Sequence, residues 1–378
     1  MRKNLYLCSE NEARMKQKLP SIGILTYHRA LNYGAVWQGW ALKKSCELLG
    51  YPTRVIDYSP YGVWQYKYFF HKRPDKAFTK ITQLYWFERF IQKYLNLSEY
   101  TDSNEYMRTR FHCDDITIVG SDQIWNVKSV QEHIGAYMLD FVPANKQRIA
   151  YACSMGGVFA TSEYLDVFKS ELPKFLAISL REPDFLEEMS AISGKMVVDV
   201  CDPSLLPDKS YYETMEKKKW GLPKHYIAVM DLSGDPFLKE VVKKAKSILH
   251  IPVVNIMGGY TRWADKNIYS LQPEQWLYVI HHADLMITNS FHGTAFSIKY
   301  QTPFLSCPKK IEHLKAGNLR LTNILTQCGL MSQCITNVNQ VPEALMVDWD
   351  QATTKIEYYR QHSLEWLKNA INHASNQK

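Results

Sequence analysis

The sequence predicts an α/β protein made of two Rossmann-like halves that face one another. Three observations carry this reading: from Ser21 short β-branched runs alternate with helical stretches, the alternation stops between Pro203 and Pro223, and it then resumes. Such alternation marks parallel strands joined by crossover helices. A chain of 378 residues is long enough for two such domains.

SIGILTYH (21–28) reads as the first strand and AVWQGWALKKSCELLG (35–50) as a helix closed by Gly50. TRVIDY (53–58), DITIVGS (115–121), QRIAYACS (147–154), FLAISLR (175–181) and KMVVDVCD (195–202) follow as strands, so the N-terminal domain is expected over 21–208. An aromatic and basic insertion, 58–112, parts the second strand from the third. Its residues 58–94 hold seven Lys/Arg against two acids beside Trp64, Phe69 and Phe70, a makeup suited to anionic head groups. Leu84, Phe87, Ile91 and Tyr94 recur at helical spacing, which fits a helix packed on the domain. The polar, Lys-rich stretch 203–223, bracketed by prolines, reads as a linker.

The C-terminal domain is expected over 223–345. Its strands are YIAVMDLS (226–233), PVVNIMGG (252–259), NIYSL (267–271), LMITNS (285–290) and PFLSC (303–307), with helices at 237–249 and 273–283. A last helix, 350–372, carries Ile356, Tyr359, Leu364, Leu367 and Ile371 at helical spacing and is expected to pack back on the first domain.

An apolar share of 46% with 22% charged residues excludes a disordered or fibrous chain. No apolar run approaches the ~18 residues of a membrane span, and the first twenty residues show no export signal. Eight scattered cysteines without a C-x-x-C pair read as free thiols of a reducing cytoplasm. The net charge of +7 suits an acidic ligand or an anionic membrane surface and is too mild to argue for nucleic acid.

In parallel sheets ligands bind beyond the carboxyl ends of the strands. No G-x-G-x-x-G, P-loop or G-x-S-x-G follows any of them. The richest such loop is Asn289-Ser290-Phe291-His292-Gly293-Thr294, where Ser290 or Thr294 can cap a helix whose first turn would bind an anion beside the His292 imidazole. The plainer reading is a capped helix with a packed histidine. Arg181 ends a strand and offers a planar fork for carboxylate or phosphate, or a structural pair at a domain seam. Asp122, Trp125 and Asn126 are the residue types that grip a sugar by hydroxyl bonds and ring stacking, or else an Asx turn closing a strand. Asn32 and Tyr33 stand before a helix in a loop that could bind an anion or merely turn. His281-His282 with Asp284 suggests a metal, but adjacent helical residues point about 100° apart, so no metal is expected.

Taken in order, NYGA, IVGSDQIWN, RIAYACSMGG, AISLREPD, VCDPSLL and ITNSFHGTAFSIKYQTPF resemble the polysaccharide pyruvyl transferase family over about residues 21–330. The resemblance implies a glycosyltransferase-B-like fold and a pyruvyltransferase that forms a pyruvate ketal on a sugar of a bacterial capsule or exopolysaccharide precursor. Phosphoenolpyruvate would be the donor, phosphate the second product, and no cofactor or metal is called for. His292 and Arg181 fall on the family's histidine and strand-end arginine and are the expected catalytic pair. The donor would sit on the second domain with Asn289, Ser290, Gly293, Thr294, Asn318 and Arg320, and the acceptor on the first with Asn32, Tyr33, Asp122, Trp125 and Asn126. Where some relatives carry Arg-Leu before the histidine, Ser290-Phe291 stand here, so a phosphate-clamping arginine is missing and Arg320, Ser290 or the helix N-terminus must replace it. A polyprenyl-diphosphate-linked acceptor would draw a cytoplasmic enzyme to the inner face of the membrane. The competing readings are a nucleotide-sugar glycosyltransferase of the same fold and a non-catalytic saccharide-binding protein.

Overall fold

The computed structural model describes residues 19–60, 74–157, 159, 162–256, 260–310 and 317–377. The N-terminal half is built on a six-stranded parallel sheet: β1 (Ile22–Leu25), β2 (Thr53–Val55), β3 (Ile116–Val119), β4 (Gln147–Cys153), β5 (Ala177–Leu180) and β6 (Val198–Asp199), in the order β2-β1-β3-β4-β5-β6. The C-terminal half uses five: β7 (Ile227–Met230), β8 (Val253–Asn255), β9 (Lys266–Asn267), β10 (Leu285–Thr288) and β11 (Phe304–Ser306), in the order β11-β10-β7-β8-β9. Strands such as IGIL and IAVM are buried throughout, as they must be when helices cover both faces of a sheet.

In each sheet the chain winds one way from its first strand and then crosses to the other side. β1 lies between β2 and β3, and β7 between β8 and β10. At such a reversal the loops diverge and leave a crevice beyond the strand ends. The two crevices open toward each other.

Aromatic residues hold the halves in place. From α1 (Tyr33–Leu48), the Tyr33 ring stacks on Trp276 of α2 (Pro273–His281) at 5.5 Å, and Trp37 donates from Nε1 to the Pro273 carbonyl at 3.1 Å. Phe296 of α3 (Phe291–Tyr300) completes the cluster edge-on against Trp276. The insertion helix Pro74–Tyr94 turns Phe87 and Phe90 inward onto Tyr33 and Trp37, while Ile81 and Tyr85 face solvent. Each such buried ring contributes about 1.5–3 kcal/mol. Trp64, Phe69 and Phe70 lie outside the described residues. Among the described residues no helix is long and apolar enough to cross a membrane.

The stretch expected to be a linker is core at its start. Asp202 caps a turn over Pro203–Leu205, and Leu205, Leu206 and Tyr212 are buried, with Tyr212 against Trp37, Trp40 and Phe296. Its prolines mark tight turns rather than loose chain because its apolar side chains fill the seam between α1 and α3. The predicted strand NIYSL shrinks to Lys266–Asn267, since Leu271 leaves the sheet to exchange hydrogen bonds with the Tyr33 hydroxyl. The terminal helix Trp349–Asn376 lies across the N-terminal half, where Ser363 Oγ accepts from the Cys201 amide at 2.8 Å and Tyr51 donates to Asn372 at 2.9 Å.

Candidate active site

A cavity of about 300 Å³ lies where the two crevices meet. Tyr27, Ala30 and Asn32 reach it from β1, Asp122 and Gln123 from β3, Leu232 from β7, Asn289 to His292 from β10, and Lys309 and Arg320 from beyond β11. A larger cavity of about 650 Å³ adjoins it on the N-terminal side and shares Tyr27, Ala30, Asn32 and Ser129. Its wall includes His28 and Arg29, both bound to Asp57. Burial alone would raise the Asp57 carboxyl, but hydrogen bonds from these two hold it at about 2.

His292 sits in the first turn of α3, 5% exposed. Ser290 caps this helix by accepting from the Gly293 amide, so the sequence places the imidazole at a helix start with its ring aimed at the domain seam. A β-carbon on Gly34, in the first turn of α1, would lie 2.0 Å from His292 Nδ1. The glycine of the NYGA motif is thus what lets the N-terminal domain close on the histidine.

Below the imidazole lies Asp202, 1% exposed, its Oδ2 at 3.7 Å from His292 Nε2 and 2.5 Å from Arg181 Nη1. Burial would raise this carboxyl, yet His292, Arg181 and the Ser204 amide hold it well below the usual carboxylate range. Arg181, 3% exposed, lies over the Phe291 ring at 4.4 Å and has Asp122 at 3.7 Å. Among the described residues, its Nε and Nη2, His292 Nε2 and Arg320 Nε are buried without a hydrogen-bond partner. Unsatisfied buried donors are costly, and these four stand on cationic or protonatable groups, with the Glu182 Oε2 acceptor buried in the same condition. Burial and the nearby charge of Arg181 lower the Arg320 pKa, and among the described residues Asp122 at 4.0 Å is its nearest counter-charge. The Gln123 amide, turned with its oxygen inward, accepts from Arg320 Nη2 at 2.6 Å and Nη1 at 2.8 Å. Glu182, fully buried on Ser154, is pushed up by burial, which Arg181 offsets in part.

Several residues chosen from the sequence have other work. Tyr33, expected to touch the acceptor, is 1% exposed with its hydroxyl on Leu271, because the domain seam needs a flat ring there. Trp125 is fully buried against Phe168 and Phe175 and donates to the Tyr137 carbonyl, which leaves no face for a sugar. Asn126 caps the short helix Val127–Val130, and Asn32 caps α1. Asn289 lines the cavity but spends its amide on Asp231, Ser233 and the Leu232 amide, fixing the loop after β7. Thr294 bonds Ser306, and the space at Gly293 is taken by Thr288 of its own domain rather than left for a ligand. Asn318 grips the Lys309 backbone through both ends of its amide.

Asp202, Lys309 and Gln123 were not singled out from the sequence. Asp202 lay in view within VCDPSLL, a carboxylate just past a strand and followed by proline, and Lys309 in the loop after a strand, where sites are built. Lys309 is half-buried in the cavity wall, and burial and Arg320 lower its pKa. No carboxylate among the described residues pairs with it.

The chain's two-domain, glycosyltransferase-B-like architecture has a counterpart among solved structures. One from Listeria monocytogenes, assigned as a UDP-N-acetylglucosamine 2-epimerase, is 11% identical, with 90% of this chain and 91% of that one covered and a TM-score of 0.52. A UDP-GlcNAc 2-epimerase from Methanocaldococcus jannaschii is 8% identical over 86% of this chain and 91% of its own, with a TM-score of 0.45. No curated protein matches the chain. The family model for polysaccharide pyruvyl transferases matches residues 32–308, a span that runs from the cap of α1 through Asp122, Arg181, Asp202 and His292 to the end of β11. The chain therefore belongs to the polysaccharide pyruvyl transferase family.

Proposed function

We propose that the protein transfers the pyruvyl unit of phosphoenolpyruvate to two hydroxyls of one sugar, leaving a ketal and free phosphate. The observation that carries this is a cavity walled by Arg320 and His292, whose Nε and Nε2 atoms are buried without a partner among the described residues, and by Lys309, which no described carboxylate pairs, with the Arg181 guanidinium buried behind Phe291 of the same wall. Phosphoenolpyruvate is anionic at both ends, and such a site meets both. Arg320 and Lys309 face the phosphate in place of the arginine absent at position 290, and Arg181, held by Asp202 behind the cavity-lining Phe291, is assigned to the carboxylate.

In the reaction the protonated His292 gives its proton to the methylene carbon, which becomes the methyl group as C2 turns electrophilic. A sugar hydroxyl adds to C2 and returns a proton to the imidazole. The C2–O bond to phosphate then breaks, the second hydroxyl closes the ring, and its proton leaves with the phosphate. The two hydroxyl protons thus end on the methyl group and on phosphate, with no redox partner needed. The acceptor sugar enters from the adjoining 650 Å³ cavity, and a polyprenyl-diphosphate-linked precursor of a surface polysaccharide is the acceptor class proposed.

The test is phosphate release from phosphoenolpyruvate with lipid-linked and water-soluble sugar acceptors, with the ketal identified by mass spectrometry. Release that depends on an acceptor supports the reading, whereas transfer from a nucleotide sugar, or no turnover with any acceptor, overturns it. The clamp has its own test. Lys309→Ala is expected to raise KM for phosphoenolpyruvate about ten- to hundredfold with a smaller change in kcat, as the loss of one charge-assisted hydrogen bond dictates. An unchanged KM would remove Lys309 from the donor site.

A further inference from the structure

The tandem histidines at the end of α2 do not splay. The helix ends at His281, and His282 lies beyond it with φ −98° and ψ 10°, so the helical spacing that argued against a shared ion no longer governs the pair. Their rings stack at 4.7 Å with 22° between planes. The third group is Glu216, not Asp284, which instead receives the Tyr226 amide and pairs with His225. His281 Nδ1 lies 2.8 Å from Glu216 Oε1, and His282 Nε2 lies 3.5 Å from Oε2.

We propose that Glu216, His281 and His282 bind one borderline divalent cation, Zn²⁺ in the first instance, which staples the segment joining the two domains to α2. One ligand atom from each residue lies within 4.8 Å of the others. A tetrahedral zinc with ligand bonds of about 2.0–2.2 Å asks for ligand atoms about 3.3 Å apart, a change that rotation of His282 can supply because its side chain is 45% exposed. That exposure also leaves a coordination position open to water. Two imidazoles and a carboxylate are a ligand set that zinc accepts.

The surroundings suit the ion. His281 is clamped between the His282 ring and the Tyr300 ring, 4.3 Å away and 11° from parallel, so one ligand is oriented beforehand. The neighbouring cation Lys217 is drawn away by Glu274 at 2.7 Å and Gln272 at 3.2 Å. None of the three ligands lines the cavity of the proposed reaction, so this site stands or falls apart from it.

Chelator-treated protein titrated with Zn²⁺ by calorimetry should take up one ion per chain with low-micromolar or tighter affinity. Zn²⁺ should also raise the melting temperature of the wild type, since an ion that binds only the folded chain stabilises it. His281→Ala and His282→Ala should each weaken binding at least about tenfold and abolish the thermal gain, and Glu216→Gln, which keeps both imidazoles and the local volume, should weaken it too. His225→Ala, close by but outside the trio, should bind as the wild type does. Absence of Zn²⁺ uptake by the wild type, wild-type affinity in the histidine variants, or equal loss in His225→Ala would overturn the proposal.

Discussion

Replacing His292 by glutamine is expected to lower kcat for ketal formation by about 10²–10⁴, the usual worth of a positioned general acid and base, while the protein remains folded. Glutamine fills much of the imidazole's space beside Gly34 but cannot carry the proton that the methylene carbon must receive. The cations proposed to hold the donor, Arg181, Arg320 and Lys309, are untouched by the change, so KM for phosphoenolpyruvate should move little. A variant that releases phosphate at near-native rate would show His292 to be a packed residue of the seam. A variant that melts far below the wild type would mean that the ring holds the domains together rather than doing chemistry.

The second large effect is on stability. Asp202 is fully buried between Arg181 and His292, and removing one member of a buried ion pair leaves the other charge without compensation. Asp202→Asn should therefore destabilise the protein by about 3–5 kcal/mol at neutral pH, read by urea unfolding. Its pH dependence follows from the depressed folded-state pKa. A carboxyl held below its unfolded value of about 3.9 lends stability that is complete above that value and drains away as pH falls toward the folded value. The gap between wild type and variant should thus be full at pH 7 and close on acidification below about pH 4. A gap that is constant through that range would mean that Asp202 contributes packing and its cap on Ser204, not charge.

Much of the architecture was legible because it rests on local patterns. Buried strands such as ITIV and LMIT announce themselves by β-branching, and the reversal of winding that creates a site follows from parallel topology. His292 and Arg181 stood out as chemically capable side chains at a helix start and a strand end. Tyr33 and Trp125 were misread for a reason inherent in their chemistry: an aromatic ring with a polar tip serves equally well as a sugar platform and as a satisfied core residue. What separates the two is where the tip goes, to Leu271 in one case and Tyr137 in the other, and those partners are set by tertiary packing. The same holds for Asp202, whose importance lies in two partners supplied by other segments of the chain.

The contact between Gly34 and His292 ties together two motifs that the chain keeps far apart. A side chain at position 34 would occupy the space of the imidazole, so the NYGA turn of one domain and the SFHG turn of the other are a single steric unit. The two halves are consequently not interchangeable modules. A hybrid that pairs this C-terminal half with a foreign N-terminal half must bring a residue without a β-carbon to the same point, however well the rest of the seam matches. In this chain a substitution at either position is therefore confined by what stands at the other, while the rest of the cavity wall carries no such constraint from this contact.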